Sequence, residues 1–349
     1  MSTIHDDVML SIAIPTHNRS IWLNLCLAKL LPQLASIGSA VEVTIHDNAS
    51  PDNTTKIVQS YIDQGFSLRY IRNDENIGSD KNIAQCFNLA KGRYVLILGD
   101  DDIFLDGALQ KIMTLLEAGD FGAVFLNAYG YDSDFLKERP SQFFVSQKVY
   151  RNANEFIKKC FIRATFISAL IINKSSCRDL DANKFVGTSL VQTYLFYEAV
   201  LSRQLNVYVS EYLLAAKRIE RKDYDVFGIF CGQYNRVLQA YIGRGVLPAT
   251  IVAINRKLLW YFLPFHLLLL RATDAPEIRA VEVYAELYNR YRREPLFWFC
   301  CMPILKFSSS LARFWGYGLI ILGRLIGGEF GRLWVAVRVN CAVQIKKML

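Results

Sequence analysis

Through the first hundred positions, apolar residues run in short unbroken blocks, and polar clusters stand at the ends of those blocks. Residues 8–14 (VMLSIAI), 41–45 (VEVTI), 68–72 and 94–98 (YVLIL) read as strands. Between them, residues 19–34, 54–63 and 81–90 space their apolar positions three and four apart, as helices do. Strands that do not alternate in polarity are buried on both faces. Their alternation with helices predicts an α/β fold, a mostly parallel Rossmann-like sheet covered by helices on both faces. Further strands are expected at 123–126 and 169–172, and a helix at 189–201. Residues 229–299 read as largely helical, and after Pro303 the pattern turns amphipathic and basic. The softest stretch, 218–228, divides the chain into an expected catalytic domain, 1–225, and a helical C-terminal region, 226–349.

Ligands of such sheets bind beyond the carboxyl ends of the strands, where this chain places its polar motifs. Asp100, Asp101 and Asp102 follow the fourth strand directly. Adjacent carboxylates repel one another, and a hard cation offsets that cost, so Asp101 and Asp102 are candidate ligands for Mg2+ or Mn2+ bridging to phosphate. The competing reading is a solvated acidic loop or a helix cap. Asp47 ends the second strand, where it could accept hydrogen bonds from a base or ribose or serve a turn. After the first strand, Pro15, Thr16, Asn18 and Arg19 offer backbone amides and a guanidinium to a nucleotide. Gly78, before the third helix, permits close backbone approach. His46 and His266 read as packing residues, and Cys300–Cys301 as apolar filling.

Charge adds a partner. The net charge is +8, of which residues 300–349 carry +6, with seven basic residues and Glu329. Among the basic positions, 306, 313 and 324 are separated by 7 and 11, which keeps them near one face of a helix beside Phe314, Trp315 and several aliphatic residues. That is the pattern of an interfacial helix on an anionic membrane. Glycines at 316, 318, 323, 327, 328 and 331 argue for two short segments rather than one long helix. No stretch reaches the roughly 20 apolar residues of a spanning helix. The first 25 residues lack a basic start followed by an apolar run, and none of the eight cysteines forms a Cys-x-x-Cys pair, so a cytoplasmic protein with reduced thiols is expected.

Taken together, SIAIPTHNR, VTIHDNASPDNT and RNDENIGSDKNIAQCFNLAKGRYVLILGDDD resemble glycosyltransferase family 2, of GT-A fold, over about residues 8–115. The resemblance implies a nucleotide-diphosphate sugar as donor, Asp47 as reader of the nucleobase, and Asn76, Gly78 and Asn82 along the donor. The family's Asp-x-Asp metal motif places its second Asp on Asp101 and its first on Gly99, with Asp100 a candidate substitute. Residues 186–221 extend the likeness to bacterial O-antigen side-chain transferases of the abequosyltransferase type, which use lipid-linked acceptors. Many inverting members carry a Glu-Asp pair whose Asp is the general base. Here that place reads Gly187-Thr188-Ser189, and a hydroxyl is no base near neutral pH without activation. Asp181, Glu198, Asp223 and Asp225 are the candidate substitutes.

The expected function is therefore sugar transfer to a saccharide, carried on a polyprenyl diphosphate at the cytoplasmic membrane face. A metal-dependent nucleotidyltransferase is the enzymatic alternative, but PTHNRS is not the Gly-rich basic signature that class usually shows. A nucleic-acid-binding protein has only the pI of about 9.0 in its favour. The chain shows no helix-turn-helix, zinc finger or aromatic RNA-binding motif, so no nucleic-acid partner is expected.

Overall fold

In the computed structural model, residues 8–142, 145–177, 179–218, 225–272 and 277–326 are described. They fall into two units: Met1–Lys222 with Arg236–Val246, and Asp223–Asn235 with Leu247–Leu349. This differs from a single cut at residue 225, because residues 236–246 belong to the first unit. There Tyr241, fully buried, donates to the Tyr194 carbonyl (2.9 Å) and touches Glu198.

The first unit holds nine strands: β1 (Leu10–Thr16), β2 (Val41–Asp47), β3 (Arg69–Arg72), β4 (Tyr94–Ile97), β5 (Ile103–Phe104), β6 (Ala123–Tyr131), β7 (Gln147–Tyr150), β8 (Leu170–Asn173) and β9 (Asn206–Lys217). Its helices are α1 (Ser20–Leu30), α2 (Thr54–Asp63), α3 (Ser79–Leu89), α4 (Ala108–Glu117), α5 (Ala153–Cys160) and α6 (Val191–Ser202). The strands lie in the order β3-β2-β1-β4-β8-β6-β9-β5, with β7 paired to β9. The β3-β2-β1-β4 half is parallel, as the apolar blocks predict. Beyond β4 the sheet is mixed: β8 runs antiparallel to β4 and β6, while β9 is parallel to β6 and antiparallel to β5 and β7. Apolar residues of β1, β2 and β4 pack with α1, α4 and the inner positions of β6 and β9 in one core.

Register then sets the site. Thr16 lies opposite Asp47 and Asp47 opposite Arg72, so three strand ends line up in one row at the carboxyl edge. Two loop residues there take left-handed backbone, Asn18 (φ 54°) and Ala49 (φ 59°). They are held by cross-loop bonds: Asn18 N–H donates to Ser50 Oγ (2.9 Å) and Ser20 N–H to Asp52 Oδ2 (2.8 Å).

The second unit is helical. It comprises the first two residues of α7 (Tyr234–Ala240), α8 (Pro248–Lys257), α9 (Leu263–Ala272), α10 (Glu277–Tyr291), α11 (Met302–Lys306) and α12 (Ser309–Ile326). Leu259, Leu263, Leu267, Phe297, Cys300, Cys301, Leu319 and Ile320 share its core. The uncharged stretch 258–270 is thus core, and among the described residues no helix is long and apolar enough to cross a membrane. The glycines at 316, 318 and 323 do not divide α12, which runs unbroken through them, while those at 327, 328 and 331 lie outside the described residues. A Cβ on Gly316 would stand 2.7 Å from Leu268 of α9, so this glycine lets the two helices approach, and packing outweighs propensity. Positions 327–349, with the remaining basic residues of the expected stripe, lie outside the described residues.

Candidate active site

The acid triplet follows β4, and each carboxylate has a different neighbour. Asp100, buried, accepts from Thr16 Oγ1 (2.8 Å) and pairs with Arg19 Nη1 (2.9 Å). Asp101 pairs with Arg19 Nη2 (2.6 Å) and keeps its side chain 16% exposed. Asp102 is buried, accepts from Ser168 Oγ and takes a backbone bond from Lys217. Burial, with the Asp101 charge next, pushes the Asp102 carboxyl up to about 8. Arg19, expected to meet phosphate, thus stands between two carboxylates and supplies the positive charge the triplet requires.

Gly99 explains the departure from the family's metal motif. A Cβ there would meet Asp102 Oδ2 at 2.9 Å, Asp101 Oδ1 at 3.2 Å and Ser168 Oγ at 3.3 Å. An acid at this position would require the Asp101, Asp102 and Ser168 side chains to shift.

Whether a divalent ion suits this donor set follows from its chemistry. Magnesium and manganese take oxygen ligands, commonly one or two carboxylates completed by phosphate oxygens. Among the described residues no three His, Cys, Asp or Glu groups are placed to cage an ion by themselves. Asp101, partly exposed, suits an ion shared with a diphosphate. Asp102, buried, accepts from Ser168 behind that carboxylate.

Asp47 is fully buried, and its oxygens are engaged by Ser50 N–H (2.8 Å), Tyr70 Oη (2.5 Å) and Arg72 Nη1 (2.9 Å). It therefore fixes Arg72, whose side chain is 42% exposed, at the rim of a cavity of about 620 Å³ lined by Arg72, Asn73, Asp74, Glu75, Ile77 and Gln85. Asn48, Asn73, Asn76 and Asn82 knit this rim. Asn48 Nδ2 donates to Asn76 Oδ1 (2.8 Å), Asn48 Oδ1 accepts from Ile77 N–H (2.9 Å), and Asn82 Nδ2 donates to the His46 carbonyl (3.0 Å). His17 joins the network. Its Nδ1 meets the Asn48 carbonyl (2.8 Å), an acceptor only, and its Nε2 meets Asn76 Nδ2 (3.2 Å), a donor only, which selects the Nδ1-protonated neutral tautomer. Asn76 and Asn82, expected along the donor, act first as ties between loops. Gly78 has φ 86°, a backbone conformation that favours glycine, with open space about its Cα.

Three of the four candidate bases have partners among the described residues. Asp181 caps the turn Ala182–Phe185 and accepts from Asn88 Nδ2 (2.8 Å). Glu198 is held by both Arg244 nitrogens (3.0 and 2.7 Å). Asp225, in the second unit, accepts from Gly228 N–H (2.9 Å), and Asp223 lies outside the described residues. Asp80, unnoticed in the sequence, ties down the Gly187–Ser189 loop through the backbone N–H of Gly187 (2.8 Å) and Ser189 (2.9 Å).

Sequence reasoning also missed the wall beside the triplet. Tyr131 ends β6, buried, its hydroxyl without a hydrogen-bond partner among the described residues. Burial first, then the Asp102 and Asp101 charges, pushes it up to about 12. The Lys217 ammonium stands 5.1 Å from the Tyr131 ring centre and 5.1 Å from that of Trp22. No local pattern announces Ser168, Tyr131 or Lys217, because pairing across the sheet brings them to the triplet.

A family model described as Glycosyl transferase family 2 matches residues 11–180. Abequosyltransferase RfbV of Salmonella typhimurium is 25% identical over 203 residues, 54% of this chain and 60% of the relative. GalNAc(5)-diNAcBac-PP-undecaprenol beta-1,3-glucosyltransferase of Campylobacter jejuni is 28% identical over 158 residues, 45% of this chain and 48% of the relative. The chain thus spans under two thirds of the length of either. Among solved structures, S. aureus TarS 1–349 in complex with UDP-GlcNAc superposes with a TM-score of 0.61 at 15% identity, over 93% of each chain. The parallel half-sheet, the polar motifs at its carboxyl edge and these matches agree: residues 11–180 match glycosyl transferase family 2, and the fold is GT-A.

Proposed function

We propose that this chain moves a hexose or deoxyhexose from a nucleotide diphosphate to a saccharide carried on a polyprenyl diphosphate, in the building of a bacterial surface polysaccharide. One observation carries the reading: a carboxylate triplet with its own arginine stands at the carboxyl edge of a parallel half-sheet, whose aligned strand ends also hold Arg72 at the rim of a cavity. The names of the relatives support a sugar donor and a lipid-linked acceptor, and an anionic membrane surface at the cytoplasmic face is the proposed place of work.

The residues divide the labour. Asp47 and Tyr70 orient Arg72 toward the nucleoside. The loop of Pro15, Thr16, Asn18 and Arg19, with the Asn48–Asn76 network, offers donors to the donor's phosphates and ribose. Mg2+ or Mn2+ would be held by Asp101, with Asp100 and Asp102 behind it, and would neutralise charge on the departing diphosphate. Arg19 adds fixed positive charge at the same place.

Incubation with a panel of nucleotide sugars and a lipid-diphosphate saccharide, followed by product analysis, tests the reading. Transfer from at least one donor is expected. Asp101→Asn should lower kcat/KM by about two orders of magnitude with the far-ultraviolet circular dichroism spectrum unchanged. Full activity in Asp101→Asn, or undiminished transfer in excess chelator, would remove the metal assignment.

A further inference from the structure

α12 is apolar on two sides. Ala312, Gly316, Leu319, Ile320 and Gly323 face the core of the second unit. With successive residues turned by about 100°, Leu311, Phe314, Ile321, Leu322 and Leu325 fall in a second stripe about 100° wide on another side of the helix. That stripe is bare: Phe314 is 79% exposed, Leu311 58% and Leu322 51%. Phe307, just before the helix, and Phe299, packed on the Trp315 ring at 5.0 Å, are exposed as well. A helix covered on one side only would ordinarily turn polar residues outward.

The charges around the stripe name its occupant. Arg313 is exposed and lies between the two apolar sides, Lys306 is exposed just before the helix, and position 324 repeats the register of 313 eleven residues on. No Asp or Glu occurs between Glu294 and Glu329. A second copy docked on this face about a two-fold axis would bring like charges together without an acid to meet them. A bilayer with anionic headgroups meets both needs at once: acyl chains take the stripe and headgroups take the cations.

We infer that the outer face of α12, from Leu311 to Leu325 with Phe307 and Arg313, is a docking surface for an anionic lipid bilayer, with the helix lying in the plane of the interface. This deepens the membrane contact proposed above by assigning it to particular residues, and it concerns binding, not chemistry.

The test is co-sedimentation of the full chain with vesicles of phosphatidylcholine alone or mixed with phosphatidylglycerol. The wild type should bind the mixed vesicles and largely ignore the neutral ones. Phe314→Ser with Leu322→Ser should weaken partitioning about tenfold or more, since two large apolar side chains no longer leave water. Arg313→Glu, which leaves the apolar stripe whole, should weaken binding to the mixed vesicles only. Equal binding by the double variant, no binding by the wild type, or a wild-type dimer that the double variant converts to monomer would each overturn the inference. Transfer to a soluble acceptor, measured in parallel, separates the two readings. If the chain transfers no sugar yet binds vesicles through this face, the function fails and the surface stands. If transfer persists while the vesicle results are negative, the surface fails alone.

Discussion

Tyr131 shows how much of this site depends on single atoms. Its hydroxyl is buried without a hydrogen-bond partner among the described residues, so removing it forfeits no bond and relieves the desolvation of a polar group. Tyr131→Phe should therefore match or exceed the wild type in stability, by up to about 1 kcal/mol. Thermal unfolding checks it, and a fall of several degrees in Tm would show that the hydroxyl has a partner after all. At this scale the sequence was legible in kind but not in partnership. Asp47, Arg19 and the triplet were visible as polar residues at strand ends. That Arg19 bridges Asp100 and Asp101, and that Asp47 works through Tyr70 and Arg72, depends on register between strands that no local pattern encodes.

Among the elements, α12 carries the sharpest contrast. Two glycines two positions apart face different surroundings: a Cβ on Gly316 would collide with Leu268, whereas one on Gly318 would meet nothing within 4 Å. Gly316→Ala should destabilise by about 1–3 kcal/mol through overpacking. Gly318→Ala should stabilise by roughly 0.5–1 kcal/mol through helix propensity. Urea midpoints of the two variants should move in opposite directions, and a shift of the same sign in both would refute this account of the α9–α12 contact. β1 and β4 were legible as nearly unbroken apolar blocks, and β2 and β3, which carry Glu42, Arg69 and Arg72, from their place in the strand–helix alternation. β9, the longest strand at 12 residues, was not read as a strand, because Ser210 and Glu211 interrupt its apolar run at the edge where β7 pairs. The mixed half of the sheet was hidden for the same reason: direction of pairing leaves little mark on composition.

The whole molecule should respond to acid through its buried imidazoles. His46 is fully buried between Thr44 Oγ1 (3.1 Å) and Gln85 Oε1 (3.5 Å), and burial pulls it down from 6.5 to about 4, with Arg69 and Glu42 the charges within reach. His266, packed against the Phe262 ring at 4.1 Å, is lowered to about 4 as well. The unfolded chain takes these protons near pH 6.5 and the folded chain only near 4, so stability falls as the pH drops through that window. His46 alone accounts for up to roughly 3 kcal/mol. Asp102, raised to about 8, holds its proton in the folded chain across this window and offsets one of the two histidines, leaving a net loss, while Asp52 and Glu138, held down to about 2, act at more acid pH. A Tm that stays flat between pH 6.5 and 4.5, or a His46→Gln variant with an unchanged pH slope, would count against it. The route of the backbone has a different kind of consequence. The chain leaves the first unit after Lys222, returns for Arg236–Val246 and leaves again at Leu247. No single crossover between genes at residues 223–246 could exchange the helical unit intact. It would take away the end of α7 and the turn that carries Tyr241, or leave the second unit without its own Asp223–Asn235. Lineages that trade one helical unit for another would need three breakpoints, each about a dozen codons from the next, so this architecture favours inheritance of the two units together.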